Sequence, residues 1–127
     1  MKFSTKAEYG LRAIVHLDKA GKQSVSLALI AQKEKISLAY LERLFASLKK
    51  ANIVKADKGV KGGYYLTKPA SKITALDIIV ALEGSVAPYN CAAGNICCNC
   101  DCKILPVWVK LYKQIKKTLK EIKLSEL

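Results

Sequence analysis

Apolar residues at three- and four-residue steps open the chain, and this spacing predicts an amphipathic helix from residue 4 to about residue 20. Thr5 and Glu8 fit a capping box at its start, and Gly21 suits its end. The side chains expected on its buried face are Ala7, Leu11, Ile14 and Leu17. His16 is the only histidine, and we interpret it as a half-buried packing residue rather than a metal ligand.

Two shorter helices are predicted next, from 27 to 33 and from 38 to about 50. Ser26 and Ser37 precede them and suit the N-cap position, where a side-chain oxygen accepts a hydrogen bond from a free backbone N–H. The second helix is expected to bury Leu38, Leu41, Leu44, Phe45 and Leu48. Two capped helices with a short connection are typical of a helix-turn-helix, although any small helical bundle contains such pairs.

A basic, glycine-rich hairpin is predicted after these helices. Residues 53–55 begin one strand, and the sequence YYL at 64–66 forms the returning strand. The connection DKGVKGG holds glycines that permit a tight turn, with Lys58 and Lys61 near its tip. Lysine amines in that place reach DNA phosphates or the minor groove. The order helix, turn, helix and basic hairpin indicates a winged-helix DNA-binding domain rather than an ordinary solvated hairpin.

Two further helices are predicted on either side of a cysteine-rich loop. Thr74 and Asp77 fit a capping box for a helix from about 75 to 83. Its expected buried residues are Leu76, Ile79, Val80 and Leu82. The last helix starts near Pro106 and runs to about residue 124. Its apolar stripe is Trp108, Leu111, Ile115, Leu119 and Ile122. Lysines occupy the other sides, so docking on a second copy accounts for the pattern better than a membrane surface.

These elements predict a fold that is mainly α with a small β-hairpin. We expect a winged helix-turn-helix domain at 1–84, a cysteine-rich loop at 85–103 and a long dimerisation helix at 104–127. A chain of 127 residues is long enough for one sizeable core with such an appendage.

Composition adds a preference for polyanionic partners. Lys and Arg number 22 against 10 Asp and Glu, which gives a formal net charge of +12. No apolar run reaches the roughly 18 residues of a membrane span, and the N-terminus lacks the apolar core of a signal peptide. We therefore expect a cytoplasmic protein with no membrane partner. Since neither a histidine-based dyad nor a phosphate loop is present, we do not expect an enzyme.

All five cysteines fall between Cys91 and Cys102, in the sequence CAAGNICCNCDC. Because cytosolic thiols stay reduced, this clustering indicates metal binding or redox chemistry rather than disulfides. Thiolates are soft, anionic ligands that suit both iron–sulfur clusters and structural zinc. The spacing leaves both open, together with a thiol sensor in which Lys103 would lower a cysteine pKa only weakly.

The chain resembles one known family along essentially its whole length. KFSTKAEYGLRAIVHL is similar to the opening helix of the IscR-type winged-helix regulators of the bacterial Rrf-two family. SLAYLERLFASLKKANIV resembles their recognition helix, KGVKGGYYL their wing, and the cysteine loop followed by PVW their cluster-binding segment. The resemblance implies a homodimer whose last long helices cross-pair. It also implies binding to a palindromic promoter site in double-stranded DNA.

The resemblance further implies that three cysteines of each subunit hold an iron–sulfur cluster. The residues at the matching positions are Cys91, Cys97 and Cys102. Cys98 and Cys100 depart from the family pattern as additional cysteines, so either remains an alternative ligand.

The fourth ligand is left open by the same comparison. Leu105 stands where some members place a histidine, and its side chain cannot bind a metal. In other members an acidic residue of the opening helix, supplied by the partner subunit, takes this role, and Glu8 stands at the matching position. Its competing interpretation is the capping box with Thr5, and Cys98 or Cys100 is an equally open candidate for the fourth ligand. A 2Fe-2S cluster is favoured over 4Fe-4S, with zinc as the alternative cofactor.

The DNA-binding residues are expected at the exposed start of the recognition helix and at the wing. On the helix these are Ser37, Ala39, Tyr40, Glu42 and Arg43. Arg43 suits guanine or a phosphate, and Glu42 suits the N4 amine of cytosine, as the equivalent position is used in relatives. Tyr40 has two interpretations, a phosphate contact or packing. Lys58 and Lys61 supply the wing charges.

The predicted function is a cluster-sensing transcription regulator, with iron–sulfur assembly genes as its targets. One alternative is a winged-helix repressor with structural zinc or thiol redox sensing. Another is a cluster- or electron-transfer protein that uses the fold for protein contacts. A steep fall of DNA affinity with salt and a footprint on a palindrome would reject the last alternative.

Overall fold

The computed structural model describes residues 2–59, 62–94 and 103–127. Within these residues the chain forms five α-helices, one two-stranded antiparallel sheet and three short 3-10 turns. The helices and strands are α1 (Thr5–Lys19), α2 (Leu27–Glu34), α3 (Leu38–Lys50), β1 (Val54–Asp57), β2 (Gly63–Leu66), α4 (Ala75–Glu83) and α5 (Leu105–Glu121). The predicted fold class, mainly helical with a winged helix-turn-helix, is confirmed. In the described part of the chain, no helix is long and apolar enough to span a membrane.

The capping box predicted at the start of α1 is wrong. The N-cap is Ser4, whose side chain accepts a hydrogen bond from the Lys6 backbone N–H at 3.1 Å. The Ser4 N–H in turn donates to Glu83 at 2.8 Å, which ties the helix start to the end of α4. Thr5 therefore lies one residue inside the helix, and Glu8 is an exposed side chain of its first turn.

The buried face of α1 packs closely against α4. Ala7, Ala13, Ile14 and Leu17 are buried, whereas Leu11 is only partly buried. Gly10 lies in the contact between α1 and α4, because a Cβ built on it would meet a methyl carbon of Leu82, whose side chain would have to shift. The apolar pattern of the sequence alone does not identify Gly10 as a contact point between these two helices.

The helix-turn-helix consists of α2 and α3. Ser37 caps α3 as predicted, accepting a hydrogen bond from the Tyr40 N–H at 3.4 Å, while Ser26 holds the N-cap position of α2 without a side-chain bond. The core of α3 is Leu41, Leu44, Phe45 and Leu48. Leu38 was predicted to join it, but 41% of its surface stays exposed because it lies in the first turn, beyond the core.

The hairpin pairs β1 with β2 in the register Val54–Leu66 to Asp57–Gly63. A third segment extends this sheet, since Val25 and Tyr64 exchange two backbone hydrogen bonds of 2.9 Å each. The loop before α2 therefore fixes the hairpin to the helix-turn-helix. Phe45 packs edge-on against the Tyr64 ring, with centroids 5.1 Å apart, and joins the hairpin to the core.

The capping box predicted for α4 is confirmed in both directions. The Thr74 N–H donates to Asp77 at 3.0 Å, and the Asp77 N–H donates to the Thr74 hydroxyl at 3.1 Å. The buried residues of the helix are Ala75, Ile78, Ile79 and Leu82. Val80 is exposed rather than buried, because the face that meets α1 and α3 is turned by one residue from the predicted one.

The last helix, α5, ends at Glu121, and the residues after it return to the winged-helix core. The Ala75 N–H donates to the Ile122 carbonyl at 2.8 Å, and the Leu124 N–H donates to the Ile73 carbonyl at 2.8 Å. Leu124 is completely buried in the main core. Every residue of α5, all within the described chain, remains partly or fully exposed.

The buried Leu124 gives the first testable prediction. We expect Leu124→Ala to lower the free energy of unfolding by about 2–5 kcal/mol, because it leaves a cavity in the core. Urea denaturation followed by circular dichroism measures this change. Leu127→Ala is the matched control, since Leu127 is 51% exposed and three residues further along the same tail. Equal effects of the two substitutions would contradict the proposed anchoring of the tail.

Candidate nucleic-acid interface and metal centre

The start of α3 presents four of the five predicted DNA-binding side chains to solvent. These exposed residues are Ser37, Ala39, Glu42 and Arg43. The fifth, Tyr40, is half-buried: its hydroxyl lies 3.1 Å from the Thr5 hydroxyl, and its ring packs edge-on against Tyr9 with centroids 6.0 Å apart. Of the two interpretations of Tyr40, the structure supports packing between α3 and α1.

An open cleft of about 520 Å³ lies between the start of α2, the start of α3 and the hairpin. Its lining includes Ser26, Ala28, Leu38, Glu42, Asp57 and Gly63. Asp57 accepts hydrogen bonds from the Ser24 hydroxyl at 3.1 Å and from the Gly59 N–H at 3.2 Å. These two bonds hold the base of the wing to the loop before α2, so the Asp57 carboxylate shapes the hairpin.

The wing carries exposed positive charge in its described part. Lys58 follows β1 and is exposed, as is Lys55 on the strand itself. Lys61, the second predicted wing residue, lies outside the described residues. The charged side chains that line the cleft itself are Glu42 and Asp57. The exposed basic residues Arg43 and Lys58 lie on the adjoining helix and wing base, where they suit contacts with DNA phosphates.

Gly63 is a site residue that the sequence pattern did not identify. A Cβ at this position would lie 2.6 Å from the Val25 carbonyl oxygen, so only glycine lets Val25 approach and pair with Tyr64. The Gly62–Gly63 pair was interpreted as a turn signal alone. The Val25 bridge was missed because a single paired residue leaves no strand-length pattern.

A polar cluster of Arg12, His16 and Glu34 joins α1 to α2. Glu34 accepts from Arg12 Nε at 3.1 Å and lies 2.7 Å from His16 Nε2. The hydrogen bond with His16 lowers the pKa of Glu34, burial opposes this shift, and Arg12 lowers the pKa further. His16 is half-buried, as predicted, and it holds two helices together. Arg12 also lies 3.6 Å from Glu8, whose side chain is 62% exposed.

Cys91 is the one predicted sulfur ligand that lies in the described part of the chain. It sits half-exposed in the 3-10 turn Asn90–Ala93, which ends at Gly94 with a φ of +84°. Its thiol is free. Cys97, Cys98, Cys100 and Cys102 lie outside the described residues, so these ligand predictions stay predictions. Among residues 2–59, 62–94 and 103–127, no group of three or more metal-binding side chains comes together.

The two ends of the cysteine segment are held against each other. The turn Asn90–Ala93 packs on α5, and the Tyr89 and Trp108 rings contact each other at a tilt of 57° with centroids 4.7 Å apart. Ala92 in this turn is buried. The donor chemistry fits an iron–sulfur cluster, since five thiols within twelve residues supply soft anionic ligands and Cys91 is free to join them. The same donors also fit zinc.

Comparison with known proteins supports this description. Residues 3–127 match the Rrf2 family, described as "Iron-dependent Transcriptional regulator". The regulator IscR of Cereibacter sphaeroides is 42% identical over 97 residues, which span 74% of this chain and 63% of that protein. Because its matched stretch is less than two thirds of its length, that relative extends well beyond the match.

Solved structures give the same picture over almost the full chain. CymR of Bacillus subtilis, described as the global cysteine regulator of that organism, is 34% identical with a TM-score of 0.81, covering 98% of this chain and 94% of that one. The IscR of T. potens is 37% identical with a TM-score of 0.79, covering 98% and 84%. Relatives of this chain are therefore named as transcriptional regulators, in agreement with the expected absence of enzymatic activity.

The close contact at Gly63 gives the second prediction. We expect Gly63→Ala to cost about 1–3 kcal/mol of folding stability, because the new methyl group displaces Val25 from its bridge with Tyr64. Gly62→Ala is the control, since a Cβ there meets its nearest atoms at 3.4 Å, an ordinary contact. Denaturant midpoints measure both. A Gly63→Ala protein as stable as the Gly62→Ala protein would contradict the bridge.

Proposed function

This chain belongs to the Rrf2 family of transcriptional regulators, and from that premise we propose that it senses an iron–sulfur cluster and reports its state by binding DNA. The proposed cofactor is a 2Fe-2S cluster. The proposed targets are promoters of iron–sulfur assembly genes, and the place of action is the bacterial cytoplasm. Membership of the family carries the DNA-binding part of this function. The cluster-sensing part rests on the cysteine segment.

One observation carries the cluster proposal: the cysteine segment joins two parts of a closed structure. On one side, Cys91 lies in a turn that packs on α5, and on the other side α5 itself begins at Leu105. The C-terminal tail then bonds back to Ile73 and Ala75 at the start of α4. A group bound by the cysteines would therefore act on a segment whose flanks are both attached to the DNA-binding core.

We propose Cys91, Cys97 and Cys102 as the ligands from this chain, with Cys98 and Cys100 as alternatives. Glu8 of the partner subunit is the proposed fourth ligand. Its competing role as a capping residue is removed, since Ser4 caps α1, and its side chain is accessible. Glu8 shares Arg12 with Glu34 in this structure, so ligation would replace one weak, exposed ion pair.

The proposed sensing requires only that the cysteines bind the cluster and release it. When bound, the cluster supplies irons that exchange electrons or leave under oxidants. The cysteines would bind as thiolates. The turn at Cys91 packs on α5, and the tilted contact between Tyr89 and Trp108 brings the two flanks of the segment together.

A contact route runs from the cysteine segment to the recognition helix. Glu83 ends α4, just before the segment, and accepts the Ser4 N–H. The neighbouring Thr5 hydroxyl contacts the Tyr40 hydroxyl on α3. We propose that this route, together with the arrangement of two subunits, couples the segment to DNA affinity. The cofactor can change DNA affinity only as far as it binds the DNA-competent arrangement of the two subunits more tightly than the other arrangement.

The proposed dimer uses the exposed apolar side of α5. Leu111, Ile115 and Leu119 form a groove of about 270 Å³ with Phe3 of the chain's N-terminus. An apolar groove of this kind is costly in water and fits the same helix from a second copy. Lysines on the remaining sides of α5 stay solvated in such a pairing. Two winged domains would then bind two halves of a palindrome.

A second candidate function is a cysteine or thiol redox sensor. The likeness to CymR, named as a cysteine regulator, favours it, because that structure matches this chain as well as an IscR does. Cys91 is a free, half-exposed thiol that would suit such chemistry. The number of cysteines favours the cluster, since a thiol sensor needs one or two.

The cluster proposal predicts the metal content of the protein. Anaerobic purification should give a coloured protein with matched iron and sulfide, and Cys91→Ala should lose both together with the visible absorption bands. Cys98→Ala and Cys100→Ala should retain the cluster if Cys97 and Cys102 are the ligands, and loss of the cluster in either variant would instead assign that cysteine as a ligand. A colourless protein with about one zinc per chain would contradict the cluster, as would a metal-free protein that cannot be reconstituted.

The DNA proposal predicts a charge effect that depends on position. Affinity for a selected duplex should fall steeply with salt, and Lys58→Ala should reduce the slope of log K against log salt by about 1. Lys117→Ala removes the same charge from an exposed position on α5 and should leave the slope unchanged. Fluorescence anisotropy across a salt series measures both. If Lys58→Ala and Lys117→Ala changed the slope equally, Lys58 would not be a specific phosphate contact of the wing.

A further inference from the structure

The recognition helix exposes a large apolar side chain where a core residue was expected. Leu38 keeps 41% of its surface accessible in the first turn of α3, next to the exposed cap Ser37. Its side chain lines the cleft between α2 and the hairpin rather than the core. Single exposed leucines are common on protein surfaces, but this one lies in the cleft beside the base-reading positions, where its burial in a complex would stabilise binding.

The position of Leu38 directs it toward the same surface as Glu42. The two residues are four apart, so they lie on one face of α3, and both line the cleft. Residues at the N-terminal end of a recognition helix meet base edges in the major groove. Because Leu38 precedes Glu42 by one turn, it enters the groove with the helix start. Ala28, at the opposite side of the cleft, adds no polar group that would compete.

The chemistry of base edges leaves one partner for such a side chain. In the major groove, thymine is the base that presents a methyl group, while the other edges present hydrogen-bond donors and acceptors. A leucine packed against those polar edges would exclude water without replacing its hydrogen bonds, which costs free energy. A thymine methyl instead gains contact with the leucine methyl groups.

We propose that Leu38 is a specificity-determining residue that packs on the 5-methyl group of a thymine in the operator. The thymine would lie one or two base pairs from the pair read by Glu42, since four helical residues rise about 6 Å and a base pair about 3.4 Å. This inference rests on the proposed DNA-binding function and specifies one base in each half-site.

The test uses DNA that differs by one methyl group. The probe is the tightest duplex selected by the wild-type protein from a randomised pool of about 30 base pairs. Each thymine is then replaced in turn by deoxyuridine, which removes the methyl group and keeps the base pair. In each half-site, replacement of one particular thymine should weaken wild-type binding roughly fourfold, which is the value of one buried methyl group. Leu38→Ala should bind the methylated and demethylated duplexes equally.

Leu29→Ala is the matched control. Leu29 is 45% exposed on α2, but it lies with His16 and Lys33 on the side away from the cleft. This variant should keep the full response to deoxyuridine, and thermal melts of all three proteins check their folding. If Leu38→Ala weakens binding to both duplexes by the same factor, the variant still distinguishes thymine from deoxyuridine. Leu38 then acts by packing, and the inference is wrong. If selection with wild-type protein enriches no duplex, the DNA-binding proposal itself fails.

Discussion

The backbone bonds between the C-terminal tail and the start of α4 organise the rest of the structure. Through them, Ile122 and Leu124 pair with Ala75 and Ile73, and the Leu124 side chain enters the main core. The chain from α4 through the cysteine segment and α5 is therefore a loop with both ends fixed at one place. α5 also packs on α4, and its Tyr112, Ile115 and Leu119 lie against the buried Ala7, Ile79 and Val86. Closure and packing together join α5 and the described flanks of the cysteine segment to the DNA-binding unit.

This closure explains how a small chain can combine a reactive segment with a precise DNA-binding surface. The recognition helix is fixed by its own buried stripe, by Tyr40 on α1, and by Phe45 against the hairpin. The hairpin is fixed by the bridge from Val25 to Tyr64. Both described flanks of the cysteine segment are attached to this frame, since the turn Asn90–Ala93 packs on α5 and α5 packs on α4.

Much of this could be predicted from the sequence where local chemistry decides the outcome. The capping box at Thr74 and Asp77, the cap at Ser37 and the glycine-rich hairpin are short-range features, and the structure contains each of them. The errors arose where distant residues decide. Ser4 caps α1 and donates its N–H to Glu83, and Leu38 is exposed because the buried residues of α3 begin one turn later, at Leu41. No local sequence pattern predicts that Leu124 is buried in the core, because the place where a short tail packs is decided by distant residues. Four of the five cysteines fall outside the described residues, so their roles stay predictions.

We propose that the state of the cysteine segment changes the affinity of the protein for DNA. The most direct measurement compares the dissociation constant of one selected duplex for the anaerobically purified protein and for the same preparation after chelation of its metal. The account predicts a difference of about tenfold or more, equivalent to a coupling free energy of about 1.4 kcal/mol. It also predicts that reconstitution restores the first value. Equal dissociation constants for the two forms, with metal content verified in each, would contradict the account.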